Sequence, residues 1–293
     1  MDTKQIAVTG AHGQLGNELQ AIQENYPDFQ FHFLSRADLD ISDAPAIEAF
    51  FAANKVHALI NGAAYTAVDQ AETEQKFAYK INAESVGNLA KACEKVNVPF
   101  VHFSTDYVYH LPAEGPWNEN DPTAPKGVYA ASKLKGDELA LRYNRSLVLR
   151  TSWVYSAFGK NFVKTMLRLG KSREELSVVF DQIGSPTYAR DLAEASLHVL
   201  SQCFLDGENT NNYGLFHYSN EGVCSWYDFA IRIFELADIQ CAVHPIVSAQ
   251  YPTPAQRPSF SVLNKAKIKE QFGLVIPHWS TSLENCLREL EEL

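Results

Sequence analysis

The sequence predicts an α/β protein: a Rossmann-like, doubly wound parallel sheet followed by a smaller C-terminal α/β region. Two observations carry that reading. Short apolar runs alternate with helix-length amphipathic segments through the first 150 residues, which is the pattern of a parallel sheet covered by helices on both faces. The first run, Ile6-Ala7-Val8-Thr9, also opens directly into Gly10-Ala11-His12-Gly13-Gln14-Leu15-Gly16 and then a helix-like stretch. The chain has 293 residues, 46% hydrophobic and 20% charged. That is enough for one large core or two unequal domains of ordinary globular composition.

Charge and cysteine usage exclude several classes. The formal net charge of −10 argues against a nucleic-acid or anionic-membrane partner. No apolar run approaches the ~20 residues of a spanning helix. Met1-Asp2-Thr3-Lys4-Gln5 leads straight into a strand-like run, so no signal peptide is expected. The five cysteines are odd in number and form no Cys-x-x-Cys pair, which suits a reducing, cytoplasmic setting. No His-Glu-x-x-His or similar cluster appears, so no metal site is expected, and magnesium dependence stays open.

The glycine loop comes first. Strand, Gly-x-x-Gly-x-x-Gly, helix is the context in which backbone N–H groups and a helix N-terminus bind a dinucleotide pyrophosphate. A bare glycine triplet can equally be a tight turn; its place at the first strand–helix junction favours the cofactor. The helix is expected over 17–24. Phe29 to Leu34 reads as the second strand. Ser35-Arg36 follow it, where an acidic residue would bind a ribose 2′-hydroxyl and Arg with Ser would suit a 2′-phosphate. Asp38 and Asp40 lie close behind. Asp43-Ala44-Pro45 starts the next helix, with Asp as cap and Pro in the first turn.

Val56 to Ile60 is the third strand, ending in Asn61-Gly62-Ala63-Ala64-Tyr65-Thr66, small residues that leave room for a flat cofactor. A single helix is expected from Glu74 to Val96. Pro99 to Phe103 is a buried strand ending in Ser104-Thr105-Asp106, hydroxyls at the sheet edge where ligands bind or turns are capped. Then comes Tyr129-Ala130-Ala131-Ser132-Lys133. A phenol and an ammonium four residues apart share one helix face. A nearby cation is expected to lower the phenol pKa, so the pair can exchange a proton with a carbonyl or alcohol oxygen. Leu147 to Arg150 is the next strand.

In the second half, helices are expected from Phe162 to Leu169, from Ala189 to Cys203, from Ser225-Trp226-Tyr227-Asp228 to Leu236, and from a capping box at Thr281-Ser282-Leu283-Glu284. Strands are expected at 176–180 and 214–218. His217 has nothing catalytic around it in sequence and reads as core or surface. Tyr251-Pro252-Thr253-Pro254-Ala255-Gln256-Arg257-Pro258 is too rich in proline for a helix and reads as a stiff loop over a ligand. Arg257 has the fork that suits a diphosphate. The division expected is a dinucleotide-binding domain over 1–150 and a mainly substrate-binding one over 151–293, some segments of which return to the first.

The glycine loop, the small-residue strand end, Ser104-Thr105 and Tyr129 with Lys133 occur in that order. Together with Ala64-Tyr65-Thr66-Ala67-Val68-Asp69, Ser104 to Tyr109, Thr151-Ser152-Trp153-Val154-Tyr155, Asp181 to Thr187 and Arg257-Pro258, they make the chain resemble the extended short-chain dehydrogenase/reductase family. Within it the resemblance is to the branch that reduces a 4-keto dTDP-sugar, dTDP-4-dehydro-L-rhamnose, with NADPH. NADH is expected to be used as well, and a homodimer is compatible. The resemblance implies that Tyr129 donates a proton, that Lys133 binds the nicotinamide ribose and tunes Tyr129, and that Thr105 hydrogen-bonds the reacting oxygen. It puts Gly10, His12, Gly13, Gln14, Leu15 and Gly16 at the pyrophosphate and Asp40 with Ile41 at the adenine. Ala63, Ala64, Tyr65, Thr66 and Phe103 would lie along the cofactor; Asp106, Trp153, Asn161 and Arg257 would face the sugar nucleotide.

Two departures stand out: Asn61-Gly62 where Asn-Ala is usual, and His110-Leu111-Pro112 where that loop commonly has glycine. A 4,6-dehydratase on this scaffold would carry Asp-Glu after the threonine, but here Asp106 is followed by Tyr107. A non-catalytic NADP-binding subunit, resembling the regulatory one of methionine adenosyltransferase, is the reading from another class.

Overall fold

The structure, a computed structural model, describes residues 3–205 and 212–292. Met1 and Asp2, on which the N-terminal expectation rested, lie outside it. The first half runs β1 (Lys4–Thr9), α1 (Gln14–Ile22), β2 (Phe29–Leu34), α2 (Ala44–Ala53), β3 (Ala58–Asn61), α3 (Val68–Ala71), α4 (Gln75–Tyr79), a π-helical turn (Lys80–Glu84), α5 (Ser85–Lys95), β4 (Phe100–Thr105), α6 (Val128–Ala140) and β5 (Ser146–Thr151). The second half adds β6 (Val154–Tyr155), α7 (Phe162–Gly170), β7 (Glu175–Val179), β8 (Ile183–Gly184), β9 (Thr187–Tyr188), α8 (Ala189–Leu205), β10 (Gly214–His217), β11 (Cys224–Ser225), α9 (Trp226–Leu236), β12 (Ala242–Ile246), α10 (Ala266–Phe272) and α11 (Trp279–Glu292).

Six strands form one sheet in the order β10-β5-β4-β3-β1-β2, every neighbouring pair parallel. The chain reverses its direction of travel between β1 and β3, and ligands bind at the strand C-termini beside such a reversal. Side chains alternate between the two faces, as strand geometry requires. Ile6, Val8, Ala58, Ile60, Val101, Leu147 and Leu149 join the layer containing α1 and α8. Ala7, Leu59, Phe100 and Val148 join the layer under α2 and α5. A third core, around Tyr155, Phe229, Ile233 and Trp279, belongs to the second half.

Three sequence expectations need correction, and one strand is added. Helix α1 begins at Gln14, not Asn17, because Gly16 lies inside it: a Cβ there would stand 2.4 Å from the Gly10 carbonyl oxygen, so the glycine packs the helix onto the loop rather than breaking it. The expected single helix over 74–96 is interrupted by the π turn, whose extra residue turns Asn82 inward. Helix α11 starts at Trp279, not at the Thr281 box: the N–H groups of Thr281 and Ser282 both reach back to the His278 carbonyl, and the Ser282 hydroxyl is taken by Asp191. β12 escaped the sequence reading because it contains Pro245; among the described residues it pairs only with β7, and proline is tolerated at such an edge. His217 is core: its ring meets the Tyr109 hydroxyl at 2.8 Å and the Trp117 carbonyl at 3.1 Å.

Candidate active site

The sheet's C-terminal edge gathers the expected chemistry. Thr105 ends β4, and its hydroxyl accepts from the Tyr107 N–H at 3.1 Å and donates to Asp106 Oδ1 at 3.1 Å. It therefore caps the turn and reaches the site as well. Tyr129 stands in the first turn of α6, which Glu72 anchors by accepting from the Val128 N–H at 2.8 Å. The Tyr129 ring meets Tyr107 edge-on, centroids 5.7 Å apart, and its phenol lies near the Thr105 side chain. Lys133 is 2% exposed; its Nζ donates to the Phe103 carbonyl at 2.5 Å and lies 3.4 Å from His102 Nε2.

The electrostatics reverse one expectation. Burial pushes the Tyr129 phenol up to about 12, against the lowering effect of the nearby Thr105 side chain. Lys133 is not among the groups that act on it, and burial brings the lysine itself to about 8. Tyr129 thus holds its proton at neutral pH, as a proton donor must. Asp106 is buried and pushed up to about 7 by the same desolvation.

The glycine loop provides an open cradle. Gly10 has φ +75°, and a Cβ there would stand 2.6 Å from the Gly62 and Ala63 backbone. Gly13 caps α1 with no side-chain hydrogen bond, leaving the helix start free for an anion. Beside it a cavity of about 210 Å³ is lined by Ser35, Arg36, Asp40, Ile41, Ala63, Ala64 and Tyr65. These residues fit an adenosine moiety. Ser35 is held by Asp38, its hydroxyl donating at 2.6 Å. Arg36 pairs with Asp40, both nitrogens at 3.2 Å, on a side chain 70% exposed. His12 and Thr66 are exposed. Leu15 turns its side chain into the core, so only its backbone faces the loop. Phe103 packs against the same core and serves the site through its carbonyl.

Tyr65 is positioned by the π turn. Its N–H donates to Asn82 Oδ1 at 2.9 Å, and its carbonyl accepts from Asn82 Nδ2 at 3.0 Å. Gly136 lets α6 press onto this turn, since a Cβ would lie 2.1 Å from the Asn82 carbonyl oxygen.

On the other side, a cleft of about 930 Å³ is bounded by Phe162, Met166, Gln182, Trp226, Tyr251 and Arg257, a size suited to a sugar nucleotide. Trp153, at φ +47°, stacks on Trp226 at 3.6 Å and 8°. Asn161 caps α7, accepting from the Lys164 N–H at 3.0 Å. Its amide nitrogen donates to Gln14 Oε1 at 2.8 Å, which ties the glycine loop to the second half. Arg257 is held by Asp69, at 2.8 and 3.1 Å.

Sequence reasoning missed several contributors. Asn82, His102 and Trp226 carry no local motif. Asp137 and Arg150 form an ion pair at 3.0 Å, 1% and 4% exposed, directly behind Lys133 on α6. Only Asp69 had a signal, as the last residue of a quoted motif. Among the described residues no cluster of His, Cys, Asp and Glu could hold a metal, and no helix is long and apolar enough to cross a membrane.

Known proteins resemble this chain over nearly its whole length. Residues 4–292 match the family described as the RmlD substrate binding domain. A dTDP-4-dehydrorhamnose reductase from Aggregatibacter actinomycetemcomitans is 40% identical, covering 96% of this chain and 97% of that protein. The crystal structure of a dTDP-4-dehydrorhamnose reductase from Clostridium acetobutylicum superposes with a TM-score of 0.92 at 40% identity, over 98% of this chain and 99% of that one. A Bacillus anthracis reductase, solved in complex with NADP, gives 0.91 at 37%, over 98% and 99%.

Proposed function

The chain belongs to the RmlD family of dTDP-4-dehydrorhamnose reductases, and from that premise we propose which of its residues do the work. The protein is an NAD(P)H-dependent oxidoreductase that reduces the C4 ketone of dTDP-4-dehydro-L-rhamnose, the last step of dTDP-L-rhamnose synthesis. The observation that carries the assignment of roles is that Tyr129, at the start of α6, stands near Thr105, at the end of β4.

The glycine cradle at Gly10, Gly13 and Gly16 holds the dinucleotide, which supplies hydride when bound. Thr105 and Tyr129 hold the ketone oxygen. Tyr129, protonated at neutral pH, gives its proton to that oxygen as negative charge develops there, a contribution of roughly 10²–10⁴-fold. Lys133, fixed by Phe103, stands behind it. Trp153, Asn161 and Arg257 serve the sugar-nucleotide side, so residues 1–150 mainly bind the cofactor and 151–293 mainly the substrate. Ser35 and Arg36 favour NADPH, with NADH also used. Asp106-Tyr107, in place of Asp-Glu, disfavours the dehydratase reading.

Loss of NADPH absorbance on adding dTDP-4-dehydro-L-rhamnose tests this reading. No turnover by folded protein that binds NADPH would instead support the non-catalytic alternative.

A further inference from the structure

A buried polar chain crosses the sheet behind the catalytic helix. The Thr9 hydroxyl donates to Asn61 Oδ1 at 2.6 Å, and the Ala63 N–H donates to the same oxygen at 3.3 Å. Asn61 Nδ2 lies 3.0 Å from His102 Nδ1. His102 Nε2 lies 3.4 Å from Lys133 Nζ. Thr9, Asn61, His102 and Lys133 are 1%, 1%, 0% and 2% exposed. The imidazole stacks on Phe100, 6.0 Å between centroids and 15° between planes, so its ring orientation is fixed.

Counting donors and acceptors sets the proton positions. A backbone N–H only donates, so the amide oxygen of Asn61 faces Ala63 and its NH₂ faces the histidine. An amide nitrogen also only donates, so His102 Nδ1 is the acceptor. A neutral imidazole accepting at Nδ1 carries its proton on Nε2. The ring is neutral, because burial and the neighbouring lysine charge hold its pKa well below the usual histidine range. The Nε2–H therefore points at Lys133 Nζ. An ammonium has three donors and no acceptor; an amine has a lone pair.

We propose that His102 is a positioning residue for Lys133: fixed by Asn61 as the Nε2–H tautomer, it offers the lysine nitrogen a hydrogen bond that only the neutral amine can accept. Lys133 then acts as a source of protons for the site rather than a permanent cation. Each reduction takes one proton from Tyr129. If Lys133 supplies its replacement, the ammonium becomes an amine, His102 stabilises that amine, and solvent returns the proton. The proposal rests on the reductase reading for the identity of the step it serves, but the tautomer does not depend on that reading.

Other charged groups around α6 do not substitute for His102. Asp137, one turn along α6, favours the ammonium but is itself paired with Arg150 from β5. Asp106 and Tyr107, in the turn after β4, and Tyr129 lie at the substrate end. Glu72 is engaged with Val128. Lys80 and Glu84 of the π turn, Lys76 of α4, and Lys91, Glu94 and Lys95 of α5 are exposed.

The direct test is ¹⁵N NMR of the histidine ring in the wild-type protein at neutral pH, which reads the tautomer without activity or substrate. The Nε2–H form is expected for His102; the Nδ1–H form overturns the proposal. His102→Phe keeps the ring and removes the donor. Asn61→Asp puts an acceptor against Nδ1 and reverses the tautomer. Either should move the basic limb of kcat upward by about one pH unit with little change in KM. A limb that stays or moves down in the folded variants overturns the proposal, because a merely structural role would scale kcat equally at every pH. Failure of wild-type protein to oxidise NADPH with the ketosugar would refute the reductase reading and leave the tautomer result standing.

Discussion

The guanidinium of Arg257 grips both carboxylate oxygens of Asp69 across 188 positions of sequence. Asp69 also accepts from the Ala255 N–H at 3.1 Å. The proline-rich loop over the cleft is thereby fastened to α3, on the cofactor side of the molecule. The Arg257 hydrogen bonds hold the Asp69 carboxyl below the usual carboxylate range. A lowered carboxylate pKa means the contact is complete above the ordinary aspartate range and is lost only as pH falls through the lowered value, so the clasp is closed at neutral pH. Because Asp69 is 40% exposed, its removal should cost about 1 kcal/mol of stability or less. Asp69→Ala or Arg257→Ala should instead weaken sugar-nucleotide binding about tenfold and leave NADPH binding nearly unchanged. Calorimetry with each ligand checks this; the reverse pattern would move the loop to the cofactor side.

Tyr129→Phe removes the proton and keeps the ring against Tyr107. Turnover should fall by roughly 10²–10⁴-fold, with the thermal midpoint and NADPH affinity preserved. Near-normal turnover in the folded variant would show that another group is the acid.

Trp153 rests directly over Gly184, where a Cβ would stand 2.7 Å from the indole. Gly184→Ala should tilt Trp153 off Trp226 and raise KM for the sugar nucleotide, while NADPH binding holds. Tryptophan fluorescence should change with it. Unchanged kinetics would remove this stack from the substrate site.

Asp106 sets a pH dependence of stability. Its native pKa is raised from 3.8 to about 7, so between those values the native state holds a proton that the unfolded chain has released. Stability from this group is therefore greatest at the acid end and declines as pH rises toward 7, by at most about 4 kcal/mol. Urea unfolding of wild type and Asp106→Asn, at about pH 5 and about pH 7, should show the difference shrinking in the variant. An equal pH dependence in both would place the source elsewhere.

Arg36 pairs with Asp40 on the rim of the adenosine cavity, and its exposure means that solvent and salt weaken any phosphate contact. The NADPH preference should therefore be moderate, and Arg36→Ala should cut the ratio of kcat/KM for NADPH over NADH by up to about tenfold. A ratio that does not change, or a wild type that favours NADH, would assign the 2′-phosphate to other residues.

The sequence by itself determined what local pattern can encode. The strand–helix alternation specified the parallel sheet, because buried strands and amphipathic helices have different periods. Glycine spacing marked the cradle, and the four-residue interval of Tyr129 and Lys133 placed both on one helix face. The tertiary structure decided everything that depends on where distant segments meet. It raised the Tyr129 pKa where spacing suggested a lowering, because desolvation depends on the packing of β4 and α6 rather than on helix periodicity. It inserted a π turn so that Asn82 could hold Tyr65, joined Asn161 to Gln14, and gave Arg257 to Asp69. It also placed His102, an unremarkable strand residue in sequence, against Lys133. Strand register and helix packing set those contacts, and neither is a property of the residues on one segment alone.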